Sequence, residues 1–349
     1  MQLNRVYYID YIRGGAVILV LLHHCGLFKE TILAFHMPLF FFLSGWVFSF
    51  HNANPTFSVQ LKKKFNRLLV PYFLFEILNL VIAFTLHHLF KYLHMENVYH
   101  VELPFAIRDI IFCLESKNYV GITSRFWFLP CMFVSDMFFW GIQKLIIRFH
   151  IELDRIIYLL LSILLVIFSY IETSILSFRL PFTLDSSLMA TAFICLGYYL
   201  GPFFDKLYNL NVSLKLFCVI VSSIILALCI QGNDSFFLMF ANSYGNYIYA
   251  SLGAVAGIVL LCNSFFLVEN ILPKKQLLFL STNSLIFYPI HLNIISFINK
   301  IFSYIDFTNV LESCKPLITI FVVLSLAIIL INISNKYFKI FTGSIMLIK

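Results

Sequence analysis

The chain has 349 residues, of which 61% are hydrophobic and only 12% charged; it carries 41 Phe, a net charge of +7 and a mean hydropathy of +0.91. It cannot expose the polar surface that one or two water-soluble domains need, so the composition excludes soluble enzymes. An all-α polytopic membrane protein remains, with residues 1–349 forming one integral membrane domain.

Apolar runs of about 16 to 23 residues, bounded by charges, Pro or Asn/Gly clusters, predict ten transmembrane helices. The first, Ile12 to Phe28, follows a charged start without a small-residue cleavage site, so it reads as a retained span rather than a secretory signal. It holds Arg13 and His24, eleven residues apart. Eleven helical steps make about 1100°, three turns plus roughly 20°, which puts both side chains on one face about 16 Å apart along the axis. A guanidinium at the inner rim is thereby aligned with an imidazole buried in the outer half of the membrane, where polar groups are costly enough to imply function.

Ile32 to Phe50 follows after so short a link that the two helices form a hairpin turning near Lys29 and Glu30. His24 and His36 lie six residues either side of that turn, so their imidazoles are expected to meet, whereas His23, rotated by about 100°, is expected to leave that face. Gln60 to Arg67 is the richest basic stretch; its Lys64 and Arg67 suit either anionic lipid headgroups or a phosphorylated cytoplasmic substrate. Leu68 to Leu89 carries Glu76 and Asn79, and Phe126 to Ile146 carries Asp136; each is a buried polar group that serves equally as structural partner or actor. The connection of about 35 residues between them, Phe90 to Arg125, is rich in aromatics and is expected to form an ordered cap on the outer face.

Ile156 to Tyr170, Leu188 to Phe204 and Leu216 to Ile230 come next. Tyr247 to Phe266 contains Gly253 and Gly257, a G-x-x-x-G pair that fits close helix packing. Leu277 to Phe297 places His291 in the outer half again, and Leu317 to Ile333 completes the set. With both termini in the cytoplasm, Lys29, Lys91, Arg108, Lys117, Arg125, Arg179, Lys300 and Lys315 fall outside, and the other sixteen of the 24 basic residues fall inside. This is the asymmetry the positive-inside rule requires, and it accounts for the net charge without nucleic acid.

Six of the eight cysteines lie in the predicted spans as apolar packers; Cys113 and Cys314 fall in outer loops, where sequence neither requires nor excludes a disulfide. There is no Cys/His metal spacing and no Gly-rich phosphate loop. An imidazole without metal partners can still work as a general base, because it titrates near neutral pH. A sugar hydroxyl is a poor nucleophile until such a base takes its proton while the oxygen is held against an acyl carbon.

Tyr8-Ile-Asp10-Tyr-Ile-Arg13, followed by ten residues and then His24, resembles the opening of the acyltransferase-3 family of integral membrane acyltransferases. The likeness continues in order through Phe35-His36-Met37-Pro38 to Trp46, Arg67 to Pro71-Tyr72, Phe126-Trp127-Phe128-Leu129-Pro130, and Asn283-Ser284-Leu285 with His291. Within that family the stretches look most like the branch of the fucose 4-O-acetylases. The resemblance implies about ten helices in the bacterial inner membrane, an acyl-CoA donor (acetyl-CoA), no metal, membrane lipids around the fold, and transfer to a carbohydrate hydroxyl of a surface glycan or its lipid-linked precursor. It implies His24 as the catalytic histidine with His36 as its polar helper, Arg13, Arg67 and Lys64 as donor contacts, and Asp10, Trp127, Asn283 and His291 around the acceptor. The eleven residues between His24 and His36 are fewer than that family leads one to expect. A polytopic transporter and a non-catalytic partner of a polysaccharide assembly complex are the rival readings, because polar residues at mid-depth also mark substrate pathways.

Overall fold

Helices form every regular element, one isolated β-bridge aside, in the computed structural model, which describes residues 7–50, 55–92, 103–113, 126–150, 155–176, 178–233, 237–303 and 309–342. In chain order they are α1 (Tyr7–His24), α2 (Lys29–Leu33), α3 (His36–Phe48), α4 (Phe57–Lys64), α5 (Val70–Tyr92), α6 (Leu103–Phe112), α7 (Phe128–Arg148) and α8 (Ile156–Ile175). They continue with α9 (Leu184–Tyr208), α10 (Val212–Gly232), α11 (Tyr247–Val268), α12 (Lys274–Thr282), α13 (Ser284–Phe302) and α14 (Asn309–Tyr337). Among the described residues nine stretches are long and apolar enough to cross a membrane, and they coincide with nine of the ten expected spans. The tenth is α1, a continuous helix of 18 residues whose apolar content is diluted by Asp10, Arg13, His23 and His24.

One expected span is corrected. Leu277 to Phe297 is two helices, α12 and α13, parted at Asn283, whose side-chain Nδ2 donates to the Phe279 carbonyl at 2.8 Å and closes the end of α12. Of the long outer connection, only 90–92, the end of α5, and 103–113, α6 and the residue after it, lie within the described residues, so the expected cap falls largely outside them. All eight cysteines are free thiols, Cys113 and Cys314 included.

The chain divides into two compact units. The first comprises Met1–Asn54, Phe138–Ser177 and Leu188–Ser284. In it α1 ends in a turn dictated by Gly26, which adopts φ +91°: its N–H reaches the His23 carbonyl and the Leu27 N–H the Leu22 carbonyl, both at 3.0 Å. That pair of bonds is the Schellman arrangement, which meets carbonyls the helix end would leave open. Helices α3 and α9 cross so closely that a Cβ on Gly45 would meet the Ile194 carbonyl and one on Gly197 the Phe42 carbonyl. Small residues permit such backbone contact where lipid supplies no hydrophobic drive for association. Gly253 and Gly257 act as the G-x-x-x-G spacing suggested: the former faces Cys229 of α10, and the latter admits the ring of Phe35, which wedges against Leu226 and Ala256.

The second unit comprises Pro55–Met137, Phe178–Ser187 and Leu285–Lys349. Between α4 and α5 the chain widens into a π-helical turn, Phe65–Leu69, equivalent to one residue inserted in an α-helix. Helix α5 is tied to α6 by the Tyr72 hydroxyl, which donates to the Ile110 carbonyl at 2.6 Å, and to α13 by Asn293, whose Nδ2 donates to Asn79 Oδ1 at 3.1 Å. Burial pushes the Cys113 thiol, 3.4 Å from the same hydroxyl, up to about 12. Arg179 and Asp185 pair at 2.5 Å, and Asp185 also accepts from the Ser186 and Leu180 N–H groups at the start of α9.

Candidate active site

The expected site residues divide between the two units: Asp10, Arg13, His24, His36 and Asn283 in the first, Lys64, Arg67, Trp127 and His291 in the second.

In the first unit, α1 is regular from end to end, so the face shared by Arg13 and His24 is a fact of the structure. Val17 and Val20, between them on that face, are both buried, so the stripe turns inward over its middle turns. At its lower end the Arg13 guanidinium donates to Asp10 Oδ1 at 3.3 Å, and the same oxygen accepts from the Ser281 hydroxyl at 3.2 Å. Helix α12 lies close enough for this because Gly14 meets the Leu277 carbonyl with no side chain between. Asp10, expected beside the acceptor, thus holds the arginine, and Ser281 holds Asp10.

At the other end one expectation is corrected: His23, expected to leave this face, joins the histidine cluster. His24 is the last residue of α1 and is exposed; the buried imidazole is His36. The ring stacked on His36, at 5.3 Å between centroids, belongs to His23, which also meets His24 edge to face at 5.1 Å. Rotation by about 100° does carry His23 off the face of His24, but the chain returns from the Gly26 turn on the side His23 occupies. His36 Nδ1 lies 2.8 Å from the Ile32 carbonyl, and His23 Nδ1 lies 3.3 Å from the Lys29 carbonyl. A carbonyl oxygen only accepts, so Nδ1 carries the proton in each, and in the neutral rings Nε2 presents the lone pair.

A further cluster ties α1, α3 and α9 together: Asp205 Oδ1 accepts from the Tyr8 hydroxyl and, at 3.0 Å, from Trp46 Nε1. Tyr208 stacks on Tyr8 at 4.6 Å and donates to Glu269 at 2.6 Å. Asp205, Ser281 and His23 are the residues that reasoning from the sequence passed over. Asn283, expected near the acceptor, caps α12 as described above.

In the second unit, Lys64 is ion-paired with Asp136, whose side chain is only 2% exposed, so its charge is engaged inside the fold; Lys62, Lys63 and Arg67 on the same stretch are exposed. Trp127 is buried beside Phe128, and Phe126 and Phe128 both pack on Tyr288. His291 is fully buried, stacked on Phe287 at 5.3 Å, with Nδ1 3.1 Å from the Phe287 carbonyl, so in the neutral ring its proton too sits on Nδ1. Among the described residues, His, Cys, Asp and Glu nowhere gather in threes that could hold a metal ion.

A family model described as an acyltransferase domain matches residues 6–334. No curated protein and no solved structure matches the chain.

Proposed function

Given that this chain belongs to the acyltransferase-domain family, we propose that it transfers an acetyl group from cytoplasmic acetyl-CoA to a hydroxyl of a surface polysaccharide or its lipid-linked precursor. Membership makes it a membrane acyltransferase; the donor, the acceptor and the bacterial inner membrane as its location are the further content of the proposal. The likeness to sugar O-acetylases supports the acceptor class, and the inward bias of Lys and Arg supports a cytoplasmic N-terminus and a donor entering from that side.

Arg13, braced by Asp10 and Ser281, takes the donor's phosphates. The arm of the donor then follows the inward stripe of α1 over the rise of about 16 Å to His24. His24 takes the proton of the acceptor hydroxyl as its oxygen bonds to the acyl carbon, and the carbonyl electron pair moves onto oxygen. When the tetrahedral adduct collapses the C–S bond breaks, and the departing thiolate recovers the proton from the imidazolium. His23 and His36 hold the ring of His24 from behind through the two ring contacts.

The observation that carries this reading is the single unbroken helix with a braced guanidinium at one end, a histidine cluster at the other and a buried stripe between them. His24→Ala, present in membranes at the wild-type level, is expected to leave surface polysaccharide lighter by one acetyl unit per modified sugar on mass spectrometry. Unchanged acetylation in that variant removes the reading.

A further inference from the structure

Helix α4 has two faces that meet different surroundings. Gln60, which is buried, and Lys64 are four residues apart and lie one above the other, and there Lys64 pairs with Asp136 of α7. The opposite flank is open: Lys62 and Lys63 are exposed, and so is Arg67, four residues beyond Lys63 in the widened turn. Folding thus sorts a basic run that is uniform in the sequence. One cation is engaged inside the second unit, and three are presented outward.

The depth of that flank narrows what meets it. Residues 68–92 alone rise about 37 Å, more than the roughly 30 Å of a hydrocarbon core, so the three cations stand at headgroup level or beyond. Leu78 and Ile82, eleven and fifteen residues after Arg67, return to its side of the helix and are 42% and 38% exposed, as side chains against acyl tails are. One side of this helix therefore turns from apolar to cationic where a lipid turns from tail to headgroup. We propose that the flank binds an anionic phospholipid of the inner leaflet, its phosphate lodged between Lys63 and Arg67 with Lys62 beside them. Arg67 forks onto two phosphate oxygens and the lysines act as point charges. A soluble phosphate ligand has no use for the apolar surface above the cations; a lipid uses both. The contact is separate from acyl transfer and lies wholly within the second unit.

The test uses the full chain in nanodiscs of phosphatidylcholine with a minor share of phosphatidylglycerol, and native mass spectrometry of the released protein counts the phosphatidylglycerol that stays bound. Lys62→Gln, Lys63→Gln and Arg67→Gln are each expected to lower phosphatidylglycerol affinity roughly fivefold, and the triple variant about a hundredfold. Added salt should weaken binding to the wild-type protein and leave the triple variant unchanged. All three side chains are exposed, so the variants are expected to unfold at the wild-type temperature. Arg148→Gln, which removes an exposed cation at the end of α7, is the control and is expected to keep full affinity.

Wild-type phosphatidylglycerol affinity in the triple variant overturns the proposal. So does an equal loss in Arg148→Gln, which reduces the effect to general attraction between a basic protein and a charged layer. A Lys62→Gln/Lys63→Gln protein that holds phosphatidylglycerol normally but loses acetyl-CoA affinity in pure phosphatidylcholine overturns it as well, and gives the flank to a soluble phosphate ligand.

Discussion

Replacing Lys64 with methionine leaves the Asp136 carboxylate, 2% exposed, without the ammonium that pairs with it. A buried ion pair contributes little net stability, because desolvation offsets its attraction, but removing one partner strands the other at a cost of roughly 3–5 kcal/mol. Lys64 is itself only 13% exposed, so water does not readily take over the ammonium's place. The assay is denaturant unfolding of purified protein in mixed micelles, run on Lys64→Met, Asp136→Leu and the double variant, with acetyl-CoA affinity measured on each. Both single variants are expected to lose stability and the double variant to recover most of it, a coupling energy that a double-mutant cycle isolates. Donor affinity should follow the folded fraction and return in the double variant. A Lys64→Met protein as stable as wild type with specifically weakened donor binding refutes this reasoning and returns Lys64 to the phosphate-contact role expected from the sequence.

At the α3–α9 crossing, Gly45→Ala forces a methyl group against the Ile194 carbonyl, and a destabilisation of about 1–3 kcal/mol is expected from overpacking between rigid backbones; a wild-type unfolding midpoint would show that the helices part freely. Ser281→Ala removes the brace on Asp10 and is expected to raise KM for acetyl-CoA by roughly two- to tenfold while kcat stays constant, with Ser281→Thr restoring it. A fall in kcat at constant KM would place Ser281 elsewhere in the cycle.

Much of the helix inventory was legible because a lipid-spanning segment must satisfy its backbone internally and stay apolar for its whole length, a signal that needs no knowledge of neighbours. The Gly253/Gly257 contact was open to a local reading too, whereas the expected first span runs through Gly26 to Phe28 and the helix ends at His24. The break at Asn283 also had a local mark, the polar run Ser281-Thr282-Asn283-Ser284, but the expected span runs through it as one helix because apolar residues flank it on both sides. The side chains around the candidate site were hidden for a different reason. Ser281 meets Asp10 across 271 positions and Asp205 meets Tyr8 across 197, and no periodicity encodes such a pairing. His23 was misread because a helical wheel fixes where a residue points but not from which side the next helix returns.

The wide turn at Phe65–Leu69 leads directly into α5. The extra residue is taken up within that turn, so deleting one residue there would restore ordinary winding and leave Tyr72, Glu76 and Asn79 on the interior face, whereas a deletion in the regular helix just after Tyr72 would rotate the turns beyond it by about 100° and swing Glu76 and Asn79 away. The stretch from Phe65 to Leu69 is therefore where the chain can lose one residue and still present the same polar ladder to the core, a tolerance the turns after it do not have.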